Sequence, residues 1–231
     1  MTRKNTTRPI PLALTTLIAV FSALVALALS GGHAMTAHAA TAHQHDDGKK
    51  PNGVALRMDM RHLWEDHVTW TRLAIVSLTT NSPDTQATVA RLLQNQDDIG
   101  DAIKPYYGDA AGTQLSSLLR QHILIAADLI AAAMKGDQAA VTSEQALWTA
   151  NADQIAKFLA AANPRFWPAD EMKEMLHDHL RLTTNEVVAR LQRDWATDVK
   201  TYDEIVDQAL GMADMFSDGI IGQFPERFRG K

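Results

Sequence analysis

Apolar residues recur at spacings of three and four along almost the whole chain from Val54 to about Phe228. This spacing matches the period of an α-helix that buries one face. No stretch alternates apolar and polar residues in the way that a half-buried β-strand does. The pattern therefore predicts an all-α protein.

Proline, glycine and asparagine interrupt the apolar pattern at four places and divide it into helices. The interruptions are Asn81-Ser82-Pro83, Pro105 with Gly108, Gly136, and Asn163-Pro164. A sixth helix is predicted to begin near Trp195, either separate from the fifth or continuous with it through a kink. Long helices joined by short turns pack as antiparallel neighbours. We therefore predict one domain over residues 54–228, an up-and-down antiparallel helical bundle of five or six helices, followed by a tail at 229–231. No repeat of solenoid length is found.

The N-terminal 39 residues have the organisation of a signal peptide. Arg3, Lys4 and Arg8 are basic, residues 12–29 are apolar and uncharged, and Ala37-His38-Ala39 is a cleavage sequence. An uncleaved N-terminal anchor is the alternative, because the apolar run is long for a cleaved signal. Residues 40–53 are polar, contain histidines and read as a flexible linker. The sequence therefore predicts an exported protein, periplasmic or secreted.

Composition and charge argue against nucleic-acid binding and restrict the possible metal ligands. Removal of residues 1–39 takes away three basic residues and no acids, so the formal charge changes from −5 to −8. An acidic domain without a basic stripe is a poor partner for nucleic acid. The chain has no cysteine, so any metal must be bound by histidine, carboxylate, methionine or backbone groups. The longest later apolar stretch, residues 123–134, contains Asp128, and no membrane span is predicted after signal cleavage.

The predicted helices carry polar residues on their apolar stripes, and these are the best clue to function. They are His67, Gln96, His122, Asn151, His179, Glu186 and Tyr202. A buried polar group without a partner costs about 1–3 kcal/mol, so some of these groups are expected to meet or to share a ligand. Three neutral imidazoles and a carboxylate suit Zn, Cu or Fe, with one position left for water. The candidate ligands of one transition metal ion are therefore His67, His122, His179 and Glu186.

Other interpretations stay open at this point. The same residues can form a purely structural polar layer that fixes the register of the helices, in a protein-interaction module of the cell envelope without metal. A small organic ligand or an enzyme is a further alternative, although no Gly-rich phosphate loop and no Gly-x-Ser-x-Gly motif occurs. Cleavage after Ala42 would leave His43-Gln44-His45 at a new N-terminus, which is suited to Cu(II) or Ni(II). Otherwise that segment is a solvated linker.

Several short motifs carry a resemblance to a known family. They are residues 62–68 (HLWEDHV), 95–100 (NQDDIG), 104–108 (KPYYG), 121–126 (QHILIA), 151–153 (NAD), 179–180 (HL) and 219–225 (GIIGQFP). Over residues 56–228 the chain resembles a family of small bacterial helical proteins of unestablished function, some of whose members are labelled glycosyltransferases. The resemblance implies a single helical domain. The label implies a nucleotide-sugar enzyme, for which this chain offers neither alternating β and α elements nor a metal-binding Asp-x-Asp at a strand end.

Overall fold

The computed structural model describes residues 52–229, and within them the protein is all-α, as predicted. Six long helices are joined by short turns, and a short seventh helix follows. Their bounds are α1 Gly53–Thr80, α2 Thr85–Tyr107, α3 Asp109–Lys135, α4 Gln138–Ala162, α5 Ala169–Leu191, α6 Trp195–Gln223 and α7 Pro225–Phe228. The predicted signal peptide and nearly all of the predicted linker lie outside the described residues.

Local sequence accounts for where the helices begin and end. The Asn52 side chain accepts a hydrogen bond from the Val54 amide at the start of α1, and the Asp137 side chain caps α4 in the same way. Gly136 ends α3 in the left-handed conformation, at a φ of 69°, which glycine adopts without steric cost. Arg193, at a φ of 61°, lies between α5 and α6. These two helices are therefore separate, and the alternative of one kinked helix is wrong.

The predicted end of α2 at Pro105 with Gly108 is confirmed at Gly108, and the helix continues through Pro105 to Tyr107. Pro105 has no amide N–H to donate to the carbonyl oxygen four residues earlier, and α2 tolerates this loss in its last turn. A single residue, Gly108, then connects α2 to α3.

The six long helices form a closed ring. Each packs against the next along the chain, and α6 returns to pack against α1. The closest approach is between α2 and α3, where a Cβ added at Gly100 would lie 2.5 Å from the carbonyl oxygen of Gly112. The ring is made of three successive hairpins, α1–α2, α3–α4 and α5–α6, which we call the first, second and third hairpins. The interior of the ring is therefore reached by side chains from all three.

The main core cluster runs along this interior and draws on every long helix. Representative members are Met60, Ile99, Leu119, Trp148, Leu176 and Phe216. Within residues 52–229, α3 is also long and apolar enough to cross a membrane by length and composition alone. Core helices of bundles share those properties, and α3 buries Leu119, His122 and Ile130. The expected absence of a membrane span stays a prediction.

Candidate functional site

The three inward histidines meet inside the ring of helices. His67 lies on α1, His122 on α3 and His179 on α5, so each comes from the first helix of a different hairpin. All three are buried, at 4–5% exposure. The ring centroids of His67 and His179 are 5.8 Å apart, and those of His122 and His179 are 6.5 Å apart. The sequence pattern placed these residues inward, and the structure brings them together around His179.

Each imidazole contacts an amide side chain that lies 29 residues further along the chain. The pairs are His67 with Gln96, His122 with Asn151 and His179 with Gln208, and each uses the Nδ1 atom of the ring. The amides lie on the second helices of their hairpins. The three hairpins thus repeat one arrangement, with a histidine on the outgoing helix and an amide on the returning one.

In the second and third hairpins one amide side chain performs two tasks. Asn151 Nδ2 donates to the carbonyl oxygen of Leu118 at 3.1 Å, which leaves Oδ1 to accept from His122 Nδ1–H at 2.8 Å. Gln208 Nε2 donates to the carbonyl oxygen of Met175 at 3.1 Å, and its Oε1 accepts from His179 Nδ1–H at 3.0 Å. Both rings therefore carry their proton on Nδ1, and the lone pair is on Nε2.

The first hairpin divides these tasks between two residues. Asn95 Nδ2 donates to the carbonyl oxygen of Leu63 at 3.0 Å, whereas Gln96 Nε2 lies 3.2 Å from His67 Nδ1. An amide nitrogen cannot accept, so a hydrogen bond between these two atoms makes Nδ1 of His67 the acceptor and puts the ring proton on Nε2. The His67 side chain also hydrogen-bonds to Asn95. Gln96 Nε2 also faces the carbonyl oxygen of Leu92 at 2.8 Å and Asn95 Oδ1 at 3.1 Å, so two N–H groups face three acceptors. Gln96 Oε1 is buried without a hydrogen-bond partner among the described residues.

Burial keeps all three imidazoles neutral. Desolvation, together with the smaller effect of the neighbouring histidines, lowers the pKa of His67 and of His122 to about 3. Desolvation also lowers the pKa of His179, although the hydrogen bond to Gln208 works in the opposite direction. Neutral imidazole is the form of histidine that binds metal ions. The cluster is therefore in its metal-binding protonation state at neutral pH.

Two tryptophan rings lie beside the imidazoles. Trp148 lies 5.1 Å from His122 between ring centroids, and Trp64 lies 5.5 Å from His67. The indole Nε1–H of Trp148 is buried and, within residues 52–229, has no hydrogen-bond partner. The histidine layer is thus bordered by two buried polar atoms without partners, Gln96 Oε1 and Trp148 Nε1.

Glu186 occupies a different layer from the histidines. Its Oε1 accepts from Arg72 at 2.6 Å, and Arg72 also donates to Asp198, which in turn accepts from Arg190 at 2.9 Å. Burial raises the pKa of Glu186, and the hydrogen bond from Arg72 only partly offsets this effect. The carboxylate is thus held by a guanidinium, two helical turns beyond His179. The remaining polar candidate, Tyr202, is half-buried beneath Arg72, at 5.4 Å from the guanidinium carbon to the ring centroid.

The histidine rings lie further apart than the rings of a metal site. An ion with Zn–N distances near 2.1 Å and tetrahedral angles brings imidazole centroids to about 5.2 Å from one another. The observed distances of 5.8 and 6.5 Å exceed this value. Accordingly, no group of three or more His, Cys, Asp or Glu side chains in the described part of the chain is already arranged to hold an ion. The rings would need to move inward by about an ångström to bind one.

Two parts of this region were missed by the sequence pattern. Gln208 is half-buried and lies beside the apolar stripe of α6, so the stripe alone does not select it. Its signal was the repeated interval of 29 residues between histidine and amide. The ion pairs of Arg72 and Arg190 with Asp198 were missed because arginine and aspartate usually mark a solvated face.

No protein-family model, curated protein or solved structure matches this chain. The resemblance to a family of small helical proteins therefore stays a prediction. The function has to be inferred from the chemistry of the site.

Proposed function

We propose that this protein is an exported helical-bundle binding protein that holds one transition metal ion, Zn, Cu or Fe, between His67, His122 and His179. The ligand atoms are the Nε2 atoms of the three rings. Glu186 is bound to Arg72, so the proposal leaves the fourth coordination position to water or to an external ligand. The single observation that carries the proposal is the convergence of three neutral, buried imidazoles from three hairpins.

The hydrogen bonds of His122 and His179 support this proposal. Metal-bound histidines usually donate their second ring N–H to an oxygen acceptor, which fixes the tautomer and orients the ring. Asn151 Oδ1 and Gln208 Oε1 are such acceptors. The same arrangement recurs in the second and third hairpins.

The unpartnered oxygen of Gln96 supports it as well. For His67 to bind an ion through Nε2, its proton has to move to Nδ1 and find an acceptor there. Rotation of the Gln96 amide by half a turn would bring Oε1 to Nδ1, and it requires that the contacts of Gln96 Nε2 with the carbonyl oxygen of Leu92 and with Asn95 Oδ1 break first. Metal binding would thus provide a hydrogen bond for an atom that has none among residues 52–229.

The test is metal retention by the full-length chain in which His33, His38, His43 and His45 are replaced by alanine, so that the N-terminal region offers no imidazole. The protein is exposed separately to Zn, Cu and Fe, desalted and analysed for metal content. We expect one ion per chain. His179→Ala should reduce retention by more than the roughly 10- to 100-fold that loss of an outer hydrogen-bond partner causes.

His177→Ala is the matched control, because His177 lies two residues away on the same helix, is half-buried and contacts Asp153 at 2.7 Å. It should retain the ion. Circular dichroism establishes that both variants are folded. Equal retention by the two folded variants, or no retention by the parent protein, would contradict the proposal.

The alternative is a protein-interaction module without metal, in which the polar layer only fixes helix register. Four exposed apolar side chains around the turn between α5 and α6 favour it. They are Val188, Leu191, Trp195 and Val199, with exposures of 43%, 37%, 54% and 55%. A parent protein that retains no metal would favour this alternative, since exposed apolar groups of this kind mark interaction surfaces.

A further inference from the structure

One helical turn from the histidine layer, the bundle interior contains a cavity of about 30 Å³. Its lining is apolar and aromatic throughout and comes from all six long helices. Three of the lining residues, Trp64, Leu119 and Leu176, each precede one of the clustered histidines by three residues. The cavity therefore lies on the same central axis as the histidines.

The size and chemistry of the cavity restrict what it can hold. A cavity that takes a single water needs about 10–15 Å³ and also two or more polar partners. This cavity has about twice that volume, and its lining has no charged or hydroxyl-bearing side chain. Apolar cavities stay dry and bind small apolar molecules instead. A molecule of two heavy atoms fits, whereas an organic ligand of ordinary size does not.

We propose that this cavity is a binding site for one small apolar molecule of diatomic size, of which dioxygen is the representative. Binding there requires no metal, because dispersion contacts with the lining residues supply the attraction. The cavity lies one turn before His179 along α5, whereas Glu186 lies two turns beyond it, so this proposal is independent of the proposed metal site.

The experiment measures relaxation of isoleucine δ1-methyl protons in the metal-free protein under dioxygen and under dinitrogen. Dioxygen is paramagnetic and speeds relaxation of protons that it contacts. Ile99 and Ile155 line the cavity, whereas Ile75 and Ile130 are equally buried and do not line it. We expect dioxygen to increase the relaxation rates of Ile99 and Ile155 severalfold more than those of Ile75 and Ile130.

A filling variant provides the second measurement. Leu119→Phe should abolish the excess relaxation at Ile99 and Ile155, while Leu147→Phe, at a position 51% exposed on α4, should leave it unchanged. Equal enhancement at all four isoleucines in the unmodified protein would overturn the proposal even if Leu119→Phe fails to fold. Because the protein is metal-free, absence of metal binding elsewhere would leave this result standing.

Discussion

The first hairpin differs from the other two in which side chains contact the histidine and the carbonyl oxygen four residues before it. In the second and third hairpins a single amide, Asn151 or Gln208, donates to a backbone carbonyl and accepts from the histidine. In the first hairpin Asn95 donates to the carbonyl oxygen, and the amide nitrogen of Gln96 contacts His67 Nδ1. A hydrogen bond donated by Gln96 puts the proton of His67 on Nε2, the reverse of the other two rings.

This difference distinguishes the hydrogen bonds that all three hairpins share, which stabilise the fold, from the groups that would bind a ligand. All three hairpins satisfy the backbone carbonyl four residues before the histidine, so this bond belongs to the architecture that they share. Only two of the three present an Nε2 lone pair to the interior. The first hairpin also leaves Gln96 Oε1 without a partner among the residues that the structure describes. The first hairpin therefore differs from the other two at His67, the ring whose proton would have to move before its Nε2 could bind an ion.

Acid is expected to disrupt all three hairpins at once and should have the largest effect. A histidine whose pKa falls from 6.5 to about 3 on folding binds fewer protons in the folded state. Stability conferred by neutral burial is therefore complete above pH 6.5 and declines as the pH falls towards about 3. His67 and His122 together should lower the free energy of unfolding by up to about 3 kcal/mol per pH unit below about pH 6, and the lowered pKa of His179 adds to this slope. Glu186, whose pKa is raised, works in the opposite direction for a single group.

Urea unfolding at a series of pH values, followed by circular dichroism, measures this slope. His122→Gln should reduce it by up to about a half, because one of the two rings with a pKa of about 3 is removed. His177→Gln is the comparison, since that ring is outside the cluster. Equal slopes in the parent and both variants would show that the buried rings do not govern acid unfolding.

Removal of the shared amide in the second hairpin should have the next largest effect. Asn151→Leu keeps approximate size but deletes the acceptor of His122 Nδ1–H and the donor to Leu118 in one step. We expect a loss of about 2–3 kcal/mol in the free energy of unfolding, because a buried N–H is left without a partner. Asn185→Leu, at an exposed position of α5, should change stability by less than about 0.5 kcal/mol. A similar cost for both would mean that Asn151 is not required to satisfy His122.

The sequence was sufficient for the fold because the fold depends on local signals. Spacings of three and four define the buried faces, and residues such as Gly108 and Gly136 define the turns. The inward placement of His67, His122 and His179 follows from the same spacing. The end of α2 at Gly108 was predicted, whereas the inclusion of Pro105 in its last turn was not, because proline usually opposes a helix.

Which polar groups meet could be predicted only in part. Gln96 and Asn151 lie on apolar stripes, and some of the inward polar groups were expected to meet. Gln208 reaches His179 from a half-buried position, and Glu186 is held by Arg72 from the edge of another helix. These contacts depend on the relative register of neighbouring helices. The register between two helices is set by their packing and cannot be predicted from the apolar pattern of either helix alone.

Gln96→Met should have the smallest effect and tests the asymmetry directly. Methionine resembles glutamine in length and flexibility, and it removes an oxygen that has no partner in the described range. The substitution removes the contacts of Gln96 Nε2 with His67 Nδ1, the carbonyl oxygen of Leu92 and Asn95 Oδ1, and burial of an apolar group in place of the unpartnered oxygen offsets most of that loss. We therefore expect a change of less than about 1 kcal/mol, against about 2–3 kcal/mol for Asn151→Leu.

Nitrogen-15 NMR of the imidazoles provides the decisive control, since the proton should be on Nε2 in His67 but on Nδ1 in His122 and His179. If all three rings carry the proton on Nδ1, and if Gln96→Met costs as much as Asn151→Leu, then Gln96 already presents Oε1 to His67. The three hairpins would then be equivalent, and metal binding would require only that the rings approach one another.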